Sequence, residues 1–179
     1  MADSNITKRA LAQALKELLQ TQNFDKISVG NICEKCGMNR KSFYYHFKDK
    51  YELVNWIYFT EFISVVRKKE EIPRIELLEE ICTYFYENRP FYQKTFSVDG
   101  QNSFTDYFAA IIKAIVSEDI AACIPQEFSI EPFSDFYADA FVCAIKKWLY
   151  TKDCMDPKQF TNFLMQCIHI ASQNTILNT

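Results

Sequence analysis

The chain has 179 residues, 49% of them hydrophobic and 24% charged, with only 3 Gly and 5 Pro; this suits a well-buried core and argues against disorder, collagen-like repeats and turn-dense β folds. The net charge of −3 averages two unlike parts: residues 1–55 hold nine Lys/Arg against six Asp/Glu, and residues 56–179 hold eleven against seventeen, so a basic head precedes an acidic body. No apolar run approaches the ~20 residues that span a bilayer, and the opening MADSNITKRALAQ lacks a signal-peptide core, so a cytoplasmic protein with no membrane partner is expected.

Apolar Ile6, Ala10, Leu11, Ala14, Leu15 and Leu18 predict a first helix over 6–19, capped by Ser4 or Asn5 and broken at Asn23-Phe24-Asp25. Ser28 caps a second helix that carries Val29, Ile32 and Cys33 and stops at Gly37, since glycine takes the left-handed backbone at little cost. Asn39 caps a short third helix over 40–47. Asp49, with Glu52 three residues on, forms a capping box for a fourth over 50–69. Further helices are predicted over 75–88, after Pro90, and over 103–117, 133–151 and 157–175, with breaks at 89–90, 98–102, 123–132 and 152–156. The expected fold is all-α with about nine helices. A helix-turn-helix head over 1–49 precedes a helical effector-binding and dimerisation body over 50–179.

Three short helices with a glycine turn before the third make a helix-turn-helix arrangement. Such a module needs a buried seam, polar groups aimed at base edges, and cations or N–H groups on phosphates. Ile32, Cys36, Phe43 and Phe47 can form the seam. Asn39, Arg40, Lys41, Ser42, Tyr44, Tyr45 and His46 then crowd polar, cationic and aromatic groups onto the third helix, with Lys48 and Lys50 at the entry to the fourth.

Residues Ile27-Ser28-Val29, Ile32, Cys36-Gly37-Met38, Ser42-Phe43-Tyr44-Tyr45-His46-Phe47 and Lys50-Tyr51-Glu52-Leu53 resemble the TetR family of bacterial transcriptional regulators. The specific mark is Phe-Tyr-x-His-Phe, with a Lys three residues and a Leu six residues beyond it. The resemblance covers about the first third of the chain. It implies a sequence-specific regulator whose Ser28, Asn39, Arg40, Lys41, Ser42, Tyr44, Tyr45, His46 and Lys50 contact double-stranded DNA, mostly its backbone. The chain departs from the family where Cys33 and Cys36 replace small residues, Lys41 replaces the usual Gly or Pro, and Asn39 stands where Ser is common.

Aromatics are dense in the middle third. Phe59, Tyr84, Phe85, Phe96, Phe104, Tyr107 and Phe108 are the candidate ligand pocket, with plain core as the alternative use of the same spacing. Near the C-terminus, Phe133, Phe136, Tyr137, Ala140, Phe141, Ala144 and Trp148 form one stripe, and Phe160, Phe163, Leu164, Cys167 and Ile168 another. These suit either closure of the monomer core or a four-helix interface with a second copy, and a homodimer on a palindromic operator is expected. Trp56-Ile57-Tyr58 and the run Glu87–Phe96 resemble a Gram-positive subgroup of the family. It includes activators of dihydroxyacetone kinase operons, which implies a small-molecule effector or a kinase-like coregulator protein as a further partner.

Seven cysteines, at 33, 36, 82, 123, 143, 154 and 167, are expected to be free thiols in a cytosolic chain. Cys33-Glu34-Lys35-Cys36 lacks the second pair or nearby His of a metal site, so no metal, cofactor or catalytic residue is expected. A protein-binding helical adaptor and a cysteine-based redox protein are the competing classes.

Overall fold

The computed structural model describes residues 2–63, 72–97, 103–125 and 127–173. Among them are nine α-helices and no strand. Helix α1 (Ala2–Thr21) buries Leu11, Ala14, Leu15 and Leu19 at helical spacing. It begins earlier than its apolar pattern, so Ser4 and Asn5 lie within it instead of capping it, and Ile6 is exposed. The predicted break is a tight helical turn, Phe24–Lys26, with the Phe24 ring buried. Helices α2 (Val29–Lys35), α3 (Arg40–His46) and α4 (Lys50–Tyr58) follow.

Helix α4 runs directly into a wider π turn, Phe59–Ile63, which buries Phe62; the rest of the predicted 50–69 helix lies outside the described residues. The body continues with α5 (Arg74–Glu87), α6 (Arg89–Phe96), α7 (Phe104–Cys123), α8 (Ile130–Tyr150) and α9 (Pro157–Gln173). Helix α7 extends six residues past the expected end. Pro132 falls inside the first turn of α8, where its missing N–H would have no helical partner anyway. The break expected at 98–102 lies outside the described residues.

Tyr58 sits at the centre, with its ring centroid 5.4–6.4 Å from those of Phe62, Tyr84, Phe85, Tyr92, Phe104, Tyr107 and Phe108. One contiguous apolar core runs from Leu11 in α1 to Leu164 in α9. Head and body are also tied by polar groups. Lys16 of α1 pairs with Glu61, which accepts from the Tyr84 hydroxyl at 3.2 Å, and the Tyr84 and Tyr92 hydroxyls share a hydrogen bond at 2.9 Å. Lys94 of α6 donates to the Leu19 and Gln22 carbonyls, capping the end of α1.

Candidate nucleic-acid interface

Three side-chain caps set the direction of α2, α3 and α4. Ser28 and Asn31 form a reciprocal capping box, the Asn31 N–H donating to Ser28 Oγ at 3.2 Å and the Ser28 N–H to Asn31 Oδ1 at 2.9 Å. Asn39 Oδ1 accepts from the Ser42 N–H at 2.8 Å and from the Ser42 hydroxyl at 3.2 Å. Asp49 Oδ1 accepts from the Glu52 N–H at 2.8 Å, while the Glu52 carboxylate reaches the Lys48 N–H, one residue before the expected partner. Between α2 and α3 the chain turns at Gly37, whose φ of 68° is left-handed, and the Met38 N–H closes onto the Cys33 carbonyl at 2.8 Å. Ile32, Cys33, Phe43 and Phe47 are buried along the seam; Cys36 is only half-buried.

This framework fixes the outward face of α3. Arg40, Lys41, Tyr44 and Tyr45 are exposed, Tyr45 to 83%, which is far beyond what a packing tyrosine shows. His46 is half-buried, edge-on to Tyr45 with ring centroids 4.9 Å apart. Ser42 is half-buried, and Ser28, Asn39 and Lys48 are exposed beside the face. The side-chain oxygens of Ser28 and Asn39 are already engaged as caps, leaving the Asn39 amide N–H groups as donors.

A residue missed by pattern reading shapes this face. Gly30, in the first turn of α2, lies under the Arg40 side chain: a Cβ added there would stand 2.6 Å from Arg40 Nη2. The signal was a glycine inside a predicted helix, where alanine would be favoured by ~1 kcal/mol.

Lys50, expected as a phosphate contact, has partners within the protein. Its ammonium turns inward and donates to the Phe24 carbonyl at 2.7 Å and the Ile27 carbonyl at 2.8 Å, and it lies 4.4 Å from the Phe24 ring centroid. Burial pushes its pKa down, partly opposed by Asp25. The physical reason is the turn after α1, whose carbonyls point at the start of α4 and need a donor. Lys50 therefore positions the α1–α2 connection.

In the body, Phe85, Phe96, Phe104 and Phe108 are fully or almost fully buried and pack ring on ring, with centroids 4.9–6.2 Å apart. Tyr84 and Tyr107 are half-buried at the edge of this cluster, and Phe59 faces outward at 41% exposure. Mutual packing thus places Phe85, Phe96, Phe104 and Phe108 of the expected ligand pocket in the core, with Tyr84 and Tyr107 at its edge and Phe59 outside it. A cavity of about 620 Å³ lies elsewhere, between α5, α7, α8 and α9, lined by residues that include Ile112, Val116, Tyr137, Phe141 and Ile168.

The two C-terminal stripes divide likewise. Phe133, Phe136, Ala140, Phe163 and Cys167 are exposed, and Tyr137, Phe141, Ala144 and Ile168 half-buried. Trp148, Phe160 and Leu164 are buried within the monomer, with Trp148 stacked on Phe160 at 4.3 Å and its indole N–H donating to the Met155 carbonyl. Burial pushes the Cys33 and Cys36 thiols up, and Cys36 Sγ donates to the Ile32 carbonyl at 3.2 Å, which works against a thiolate nucleophile. Among the described residues, no His/Cys/Asp/Glu group is placed to hold a metal ion, and no helix is long and apolar enough to cross a membrane.

Residues 8–57 match the profile of bacterial regulatory proteins of the tetR family, and residues 75–170 match a transcriptional regulator C-terminal region. The HTH-type dhaKLM operon transcriptional activator DhaS of Lactococcus lactis subsp. lactis (strain IL1403) is 34% identical over 101 residues, 55% of this chain and 54% of that protein, so the match spans about half its length. Two solved structures share the fold. A dihydroxyacetone kinase operon activator DhaS superposes with a TM-score of 0.64 at 24% identity, covering 92% of this chain and 97% of that one. A TetR transcriptional regulator from Streptococcus agalactiae 2603V superposes with a TM-score of 0.72 at 19% identity, covering 93% and 96%. With one profile matched by the basic head and another by more than half of the chain behind it, this all-helical protein belongs to the TetR family of transcriptional regulators.

Proposed function

We propose that the chain works as a cytoplasmic homodimer that binds a palindromic operator in double-stranded DNA, with α3 in the major groove, under the control of an effector acting on the body. The observation that carries this reading is the outward face of α3. Arg40 and Lys41 supply cations, Tyr44 and Tyr45 hydroxyls, and the Asn39 amide a donor, on a helix held rigid from behind by its caps and seam. Ser28, Ser42, His46 and Lys48 flank that face within reach of a backbone. One head of roughly 50 residues reads a short half-site, so doubling it supplies both affinity and the symmetry of the site.

The exposed strip of Phe133, Phe136 and Ala140 on α8, with Phe163 and Cys167 on α9, is the proposed dimer face. The unit boundary falls near residue 49. Effector binding changes the separation of the two heads, and with it their fit to successive grooves. The reading includes no catalytic step.

The test is fluorescence anisotropy of the full chain with a duplex from its own upstream region and with a scrambled duplex, over a salt series. Expected are preference for the native duplex and a steep linear fall of log affinity with log salt. Equal binding to both duplexes, or a flat salt dependence, overturns the reading.

A further inference from the structure

The body contains a cavity lined by none of the aromatic cluster around Tyr58 and sharing Phe133 alone with the outward strip on α8 and α9. It measures about 620 Å³, within the ~300–1,000 Å³ range of sites that take small molecules. Fourteen residues line it, drawn from α5, α7, α8, α9 and the segment after α7. None is charged, seven are isoleucine, and the Tyr137 hydroxyl is the single side-chain group able to donate a hydrogen bond. Val116, Met165 and Ile168 are only half-buried although they lie between helices, because they face this space instead of a neighbour. Leaving so much branched aliphatic wall unpacked is costly to the fold, and an apolar occupant recovers that cost. Ile75, at 45% exposure, marks the side open to solvent, and Phe133, at 41%, lies where the opening meets the end of the proposed dimer strip.

We propose that this cavity is the effector site of the regulator, and that its ligand carries an unbranched aliphatic chain, inserted among the isoleucines, with a polar head left at the solvent-facing end. The inference rests on the effector-controlled reading above and adds the ligand class. A buried charged or multiply hydrogen-bonding ligand finds no partner on this wall, since helix backbone groups are already paired. A flat polycyclic ligand would favour ring faces, and these are outnumbered by aliphatic side chains. A flexible chain gains from every methylene it buries, and one polar head at the opening costs nothing in desolvation.

Isothermal titration calorimetry of the full chain with octanoate, decanoate, dodecanoate and tetradecanoate, and with the matching alkanols, each below its micellar concentration, tests this directly. Expected is saturable binding whose Kd falls about fourfold per added methylene, with the same increment in both series, until the chain outgrows the cavity. Val116→Trp and Ile168→Trp, which fill the space from different helices, should each weaken dodecanoate binding at least tenfold while keeping a cooperative melt; either one that folds suffices. Kd independent of chain length, or a folded filling variant that binds dodecanoate as the wild type does, overturns the proposal. Operator titrations run in parallel keep the two readings apart. A protein that binds its operator but no alkyl chain overturns the ligand class alone, and one that binds the chains but no DNA overturns the regulator reading alone.

Discussion

Replacing Lys50 by methionine separates two roles that a basic residue at this position can have. The side chain keeps its length and apolar stem but loses the ammonium that donates to the Phe24 and Ile27 carbonyls and lies over the Phe24 ring. The Phe24 carbonyl still accepts from the Ile27 N–H, whereas the Ile27 carbonyl depends on Lys50. A hydrogen bond from a charged donor contributes ~1.5–3 kcal/mol, reduced here because the group is half-exposed and water can replace part of it. A total loss of about 1–3 kcal/mol follows once the ring contact is included. For a chain of this size each kcal/mol moves Tm by ~2–4 °C, so a fall of about 2–12 °C is expected.

Circular dichroism melts and salt-dependent anisotropy on the same preparation decide the matter. Lys50→Met should melt lower and, at temperatures where it is folded, retain the wild-type salt slope. A phosphate contact predicts the reverse, with Tm unchanged and the slope reduced by ~1. An unchanged melt with a lower slope would refute the structural role assigned to Lys50.

Three further substitutions and one change of pH probe other parts of the molecule. Gly30→Ala should melt no lower than wild type, because alanine favours the helix, yet bind operator about tenfold more weakly as its Cβ displaces the Arg40 guanidinium; full affinity would show that the Gly30–Arg40 contact is idle. Phe136→Asp, at a 68% exposed position, should leave the monomer melt within about 0.5 kcal/mol of wild type while shifting sedimentation towards monomer. Trp148→Ala should instead cost ~3–5 kcal/mol of fold stability through its lost stack on Phe160. Burial raises the Cys82 thiol from the usual 9.0 to about 11 and raises the Tyr58, Tyr84 and Tyr92 hydroxyls as well. The unfolded chain ionises first, so stability present below pH 9 should be lost as pH rises through 9 to 11 and beyond, as a denaturant titration at each pH would show.

The head was legible because its signals are local. Ser28, Asn39 and Asp49 cap helices through bonds spanning three residues, and Gly37 marks the turn with a backbone angle only glycine takes cheaply. The carbonyl contacts of Lys50 were not legible because its partners lie 23 and 26 residues away, and a charge at a helix start looks the same in sequence whether it faces phosphate or carbonyl. In the body, periodicity located the helices but not which aromatic would meet which. Phe85 and Phe108 share spacing with surface residues, and only the stacking of helices around Tyr58 makes them core. The cavity wall is mostly aliphatic, so aromatic density does not mark it. For the C-terminal stripes, one apolar face was visible, but its split into inner Trp148, Phe160 and Leu164 and outer Phe136 and Phe163 depends on how far α9 leans onto α5.

The union of α1 with the body limits how this regulator can be rebuilt. Its inner face shares one core with α4 to α9, Lys94 of α6 closes its last turn, and Lys16 pairs with Glu61 beyond α4. A chimera joined at residue 49 would therefore cut through one contiguous apolar core and break these polar ties. On the reading proposed above, transplanting the DNA specificity to another scaffold calls for a smaller graft, the outward side chains of α3 together with Gly30, which leaves the shared core in place.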